Sequence, residues 1–227
     1  RNGNESHNEL KTMSNSLYIS CLKLLLFSLI AFSCKGQSDS KYERNVGGPC
    51  EDCNATLDYT LLELKPGPVD TLPGFIENEP KIKITGTVYQ KNKKTPAENV
   101  LIYIYHVDRN GIYQPSDEPI SWEERHGQYR GWLKTGKDGK FAFYTFRPAP
   151  YPEVQEPQHI HIYIKEPNTI PYYIDNYLFE SDPTLTKEIK QTQKNRGGSG
   201  VVQLEMKNGI WTANRDLILG LNIPDYE

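Results

Sequence analysis

The sequence has no apolar run long enough to cross a bilayer. Residues 24–33 are the clearest such run, and a spanning helix needs about 20 apolar residues. It has no long basic run and a formal net charge of −3, which argues against an electrostatic grip on nucleic acid. It has one C-x-x-C pair, Cys50 and Cys53, and no second pair to complete a tetrahedral zinc site. It has no internal repeat. Helical and strand-like segments do not alternate along it, so a doubly wound parallel sheet is not expected.

What is present is a moderately apolar, tyrosine-rich chain. Hydrophobic residues make up 37% and aromatic residues 11%, with 15 tyrosines. Val, Ile, Tyr, Phe and Thr gather in short runs, which favours strands. A length of 227 residues suggests one domain with appendages.

The N-terminal segment does not read as part of a fold. Met13 is a plausible initiator, leaving residues 1–12 as an upstream extension. Lys23 followed by the apolar run fits a signal peptide over residues 13–33. The stretch from Ala31 to Cys34 resembles a bacterial lipobox, with Ala where Leu is usual. It implies export to the cell envelope and a lipid anchor on Cys34. Residues 34–80 are rich in Gly, Pro, Ser and Asn and read as a tether passing into an arm. Outside the cytoplasm, a small structural disulfide is expected between Cys50 and Cys53.

Strands are expected from Lys81 onward, so residues 81–227 form the domain. Residues 81–90 alternate, and residues 99–107 are continuously apolar. Asn110-Gly111 and Asp138-Gly139 are hairpin signals, the second flanked by expected strands at 129–135 and 140–147. Further strands are expected at 158–165, 172–179, 201–206 and 210–219, with a short helix possible within 183–200. This pattern predicts an all-β fold, a β-sandwich of mainly antiparallel strands.

The sharpest local signal is Gln158-His-Ile-His-Ile-Tyr-Ile164. Strand alternation puts Ile160, Ile162 and Ile164 on one face and His159, His161 and Tyr163 on the other. Two same-face imidazoles can chelate one ion, or they can simply be solvated. Tyr151 lies just upstream in the proline-stiffened stretch 146–152. Phenol becomes a useful ligand when a highly charged ion removes its proton. Two such phenolates beside two imidazoles favour ferric iron over zinc or ferrous iron.

Residues 100–183 resemble the catalytic domain of the intradiol ring-cleavage dioxygenases, the protocatechuate and catechol dioxygenase family. The Asn-Gly-x-Tyr element ending at Tyr113 resembles the segment of that family's first tyrosine ligand. The stretch 130–152 resembles its hairpin to the second, Tyr151, and Pro157-Gln-His-Ile-His161 resembles its Pro-x-His-x-His motif. Tyr177 to Pro183 resembles a further stretch beyond the site. The resemblance implies Fe(III) held by Tyr113, Tyr151, His159 and His161. It implies a catechol-type substrate, O2 as co-substrate, and ring opening between the two hydroxylated carbons. Tyr113 would be the ligand that leaves as substrate binds and could then accept a proton.

This sequence departs from the family at two positions. Glu156 stands where many members carry an arginine thought to stabilise developing negative charge. Arg147, Arg130 and Arg125 are the candidates to replace it, with Arg147 assigned here as the catalytic cation. Asn176 stands where many members have Gln. His106 is expected in the core or behind the ligands, and His126 in a solvated loop. Trp122, Trp132 and Trp211 are expected as core or lid aromatics. Glu156 keeps a second reading open, a non-catalytic module binding iron, a catechol or a carbohydrate. A zinc or copper site is a third.

Overall fold

Residues 81–89 show how this sequence makes a sheet. Ile82, Ile84 and Val88 are fully buried, and the intervening Lys83, Thr85 and Thr87 are only half-buried. That alternation is what a strand with one face on a core requires. The computed structural model describes residues 43–227, which form one unit. The upstream extension, the signal peptide over 13–33 and Cys34 lie outside the described residues. No helix among the described residues is long and apolar enough to cross a membrane.

The fold is an all-β sandwich of two six-stranded sheets. Among the described residues twelve strands occur in chain order. They are β1 (Val69–Thr71), β2 (Lys81–Tyr89), β3 (Leu101–Tyr105), β4 (Arg130–Lys134), β5 (Lys140–Phe146) and β6 (His159–Lys165). Then follow β7 (Tyr172–Tyr173), β8 (Tyr177–Phe179), β9 (Val201–Val202), β10 (Glu205–Lys207), β11 (Ile210–Asn214) and β12 (Leu217–Ile218). One sheet runs β1-β5-β2-β11-β10, with β12 also on β2; the other runs β4-β3-β6-β8-β9, with β7 on β6. Pairs β2–β5, β3–β4 and β3–β6 are antiparallel, and parallel joins occur at β1–β5, β2–β11 and β8–β9. Ile82, Ile84, Phe141 and Phe143 of the first sheet meet Ile102, Ile104, Ile160 and Ile162 of the second in one core.

Several expectations change. Strands begin at β1, ahead of Lys81. Residues 172–179, 201–206 and 210–219 each give two short strands rather than one, β7 and β8, β9 and β10, and β11 and β12. Asp138-Gly139 does not close a hairpin, because β4 and β5 belong to different sheets, so the turn carries the chain between layers. Asn110-Gly111 is a tight turn with no strand after it, and Tyr113 lies in an irregular segment. The short helix within 183–200 is α2 (Lys187–Thr192), capped by the Thr186 hydroxyl.

Strand β3 reads as continuously apolar because both of its faces are covered. Ile102 and Ile104 face the main core, and Leu101, Tyr103 and Tyr105 face outward into a second cluster with Cys53, Ala55, Trp132 and Tyr163. A 3₁₀ helix (Cys53–Thr60) from the N-terminal arm covers this outer face. Cys50 and Cys53 are joined by a disulfide, with Cα atoms 5.6 Å apart. Arg130 of β4 fastens the arm from below. It bonds Asp58 at 2.9 Å and Glu123 at 3.2 Å, with its side chain 4% exposed. Glu123 opens a single helical turn, α1 (Glu123–His126).

Candidate metal centre

Sheet register assembles the site on the outer face of the second sheet. Tyr105 of β3 lies directly across from His161 of β6, and Tyr103 across from Tyr163. Directly opposed residues on one face come into contact. The Tyr105 ring accordingly stacks on His161, centroids 4.4 Å apart and 11° from parallel. The histidine pair thus sits on rigid strand. The Ile160, Ile162 and Ile164 side chains of the same strand are buried in the core.

The tyrosines arrive from loops. Asp108 shapes the first loop by accepting from the Asn110 and Ile112 backbone amides at 2.7 and 2.9 Å. Gly111 has a φ of 81°, and a Cβ there would run into the Pro150 carbonyl. Glycine therefore lets the Tyr113 loop lie against the Tyr151 loop. The two hydroxyls meet at 2.5 Å.

Four donor atoms converge. Tyr113 Oη is 2.8 Å from His161 Nε2, and Tyr151 Oη is 3.2 Å from His159 Nε2 and 3.4 Å from His161 Nε2. The two Nε2 atoms are 3.0 Å apart. His159 Nδ1 donates to the Pro157 carbonyl at 2.7 Å, so its Nε2 presents a lone pair to the cluster. Asn176 neighbours the His161 ring. Burial holds His161 well below the usual histidine range, hence neutral and able to ligate. Burial also pushes the Tyr113 and Tyr151 phenols up, and the Glu156 carboxylate adds to both rises. A cation of high charge is what would reverse that preference.

These separations are those of donors sharing one ion at bond lengths of about 2 Å. Among the described residues no three His, Cys, Asp or Glu side chains converge. The tyrosines therefore supply half of the donor set, and two phenol oxygens with two imidazole nitrogens fit ferric iron.

A cavity of about 300 Å³ opens beside the cluster, lined by Tyr113, Tyr151 and His161 of the set together with Tyr105, Asp52, Arg125 and His126. His126 is not in a solvated loop. It is 1% exposed, with Asp52 of the arm 3.5 Å from its Nε2, and its ring stacks on Tyr105 with centroids 3.8 Å apart. Burial lowers its pKa to about 4. The rings of His161, Tyr105 and His126 form one continuous stack.

Of the three candidate cations, Arg147 is placed elsewhere. It donates to Gln158 at 2.6 Å and to Ser181 at 3.0 Å, and it lines a separate small cavity with Trp211. Its guanidinium lies over Phe179. Arg130 is buried with Asp58 and Glu123. Arg125 alone of the three reaches the cavity. His106 is a satisfied core histidine, bonding the Val107 carbonyl and the Thr145 hydroxyl, each at 2.7 Å. Trp132 is buried in the outer cluster, Trp122 packs against it, and Trp211 is partly exposed. The sequence reading missed Tyr105 and Asp52. Tyr105 was signalled by the apolar run in which it sits; Asp52 carried no signal beyond lying between two cysteines.

Comparison with known proteins agrees with this geometry. The family profile described as dioxygenase matches residues 70–210, more than half of the chain. The dioxygenase domain of a dioxygenase–carbohydrate-binding protein fusion from Streptomyces sp. SirexAA-E superposes with a TM-score of 0.52 at 20% identity, covering 69% of this chain and 91% of that one. The 3-chlorocatechol 1,2-dioxygenase of Rhodococcus opacus 1CP gives 0.52 at 17% identity, covering 68% and 67%. The catechol 1,2-dioxygenase of Acinetobacter radioresistens gives 0.51 at 16% identity, covering 68% of this chain and 58% of that one. At these identities the structures speak to the fold, and the profile match to the family: the chain belongs to the intradiol ring-cleavage dioxygenases.

Proposed function

We propose that the protein is a non-haem Fe(III) dioxygenase that opens a catechol-type ring between its two hydroxylated carbons, placing both atoms of O2 in a muconate-type dicarboxylic acid. The carrying observation is the convergence of Tyr113, Tyr151, His159 and His161 donor atoms within 2.5–3.4 Å contacts. Ferric iron, when bound there, would supply the Lewis acidity that draws electron density out of a chelated catecholate and opens its ring to O2. The chain's own residues do the rest. His159 and His161 form the fixed side of the site, because strand register and the Tyr105 stack hold them. Tyr113 lies on an irregular segment, in hydrogen-bond contact with both Tyr151 and His161. Burial raises its phenol strongly, so a Tyr113 Oη held as phenolate by a ferric ion would be a strong base once released, and it is the group assigned to take a proton from an incoming catechol hydroxyl. The stack of Tyr105 and His126 excludes water from one side of the cavity.

Metal analysis with a visible spectrum tests this reading. Iron-loaded protein should carry a tyrosinate-to-iron charge-transfer band, lost in Tyr151→Phe. Adding a catechol should shift the band and start oxygen uptake. A colourless zinc protein would sink the reading. Colour that answers to catechol without oxygen uptake would favour the non-catalytic binding module that Glu156 leaves in view. For location, we propose export with lipid attachment at Cys34. Cys34→Ser should release the protein from membranes, and unchanged membrane retention would refute the anchor.

A further inference from the structure

The N-terminal arm contributes part of the substrate cavity. Its disulfide loop carries Glu51 and Asp52, and the Asp52 side chain is only 14% exposed. Asp52 Oδ2 lies 3.3 Å from Arg125 Nε and 3.5 Å from His126 Nε2. Its Oδ1 is buried with no hydrogen-bond partner, and so is His126 Nε2. Arg125 is the one cation among the residues lining this cavity. Glu51 approaches it as well, at 3.8 Å. Two carboxylates thus claim one guanidinium. Glu156 adds a third negative charge close enough to act on both Tyr113 and Tyr151.

We propose that this wall selects substrates by charge: the site takes single-ring catechols with a neutral or cationic substituent and disfavours those carrying a carboxylate. The proposal rests on the catechol reading above for where the two hydroxyls go. A ring bound at the Tyr113–Tyr151–His cluster turns its far edge toward the rest of the lining, which is Tyr105, Asp52, Arg125 and His126. A carboxylate brought there would meet one arginine, already claimed by Asp52 and Glu51, and a local excess of negative charge. Like charges facing each other at a partly desolvated surface are strongly unfavourable. An ammonium group would offset that excess, beside the faces of Tyr105, Tyr113 and Tyr151. The size also fits, since about 300 Å³ is at the small end of ligand sites and holds one ring with a short side chain.

The test is anaerobic calorimetric binding of three ligands to the iron-loaded protein: catechol, 3,4-dihydroxybenzoate and 4-(2-aminoethyl)catechol. The aminoethyl compound should bind at least as tightly as catechol, and the benzoate about tenfold more weakly. Asp52→Asn, Glu51→Gln and Glu156→Gln should each narrow that gap, together by roughly threefold or more; Arg125→Gln should widen it. Glu51 and Glu156 are exposed, so their variants keep the test alive if Asp52→Asn folds poorly. A benzoate that binds as well as catechol, or a gap unmoved by the acid-to-amide variants, would overturn the proposal. Oxygen uptake on the same samples reports separately: charge-ordered binding without uptake would defeat ring cleavage and leave the charge selection standing.

Discussion

At the scale of single residues, the site depends on a glycine as much as on its ligands. Gly111 lets two tyrosine-bearing loops touch. Gly111→Ala should cost about 1 kcal/mol for the left-handed backbone alone. It should also separate Tyr113 from Tyr151, so iron affinity should fall about tenfold or more in a competitive chelator titration. Unchanged affinity would show that the loops do not need that contact. His106 governs a different property. Burial lowers its pKa to about 4, whereas the unfolded chain titrates near 6.5. The fold therefore favours the neutral ring, and its contribution is present above pH ~6.5 and lost as pH falls toward 4, by about 3 kcal/mol in all. Urea unfolding at pH 7.5 and 4.5 should show the loss, with a shallower pH dependence in His106→Gln. The convergence of four donor side chains was legible. His159 and His161 follow from the period of two, and Tyr113 and Tyr151 from the family motifs. The burial of His126 was not, because Tyr103, Tyr105, Tyr163 and Asp52, which pack around it, are distant in sequence.

At the scale of elements, the arm and the sheet are joined through Asp58. It accepts from Arg130, from the Ser121 hydroxyl and from the Trp122 amide at 2.9–3.1 Å. Asp58→Ala would strand the Arg130 guanidinium in a buried place, at a cost of about 3–5 kcal/mol. We expect a matching loss in the free energy of unfolding and faster proteolysis within residues 43–66; a loss under 1 kcal/mol would mean that the arm is held elsewhere. Strand periodicity made β2 and β6 readable, since each has a face on the core. It could not say which strands pair. Asp138-Gly139 specifies a local reversal, and whether that reversal stays in a sheet or crosses to the next is decided by distant partners, β2 for β5 and β3 for β4. The 3₁₀ helix escaped because proline and polar residues flank it and its packing surface is short.

At the scale of the whole molecule, an ion gripped by β6 and two loops should stabilise everything those segments touch. Free ferric iron at a hundredfold excess over its dissociation constant should raise stability by about 2.7 kcal/mol, a shift of several degrees in melting temperature. A chelator should reverse the shift, and Tyr113→Phe should reduce it. Equal melting temperatures with and without iron would count against the four-atom grip. The Cys50–Cys53 link has a practical corollary. Protein produced in a reducing cytosol would lack that clasp, leaving its acidic lip slack while the sandwich beneath stays intact. Two preparations of one gene product, identical in mass to within two hydrogens, would then rank the same compounds differently, and the oxidation history of the sample belongs among the recorded assay conditions.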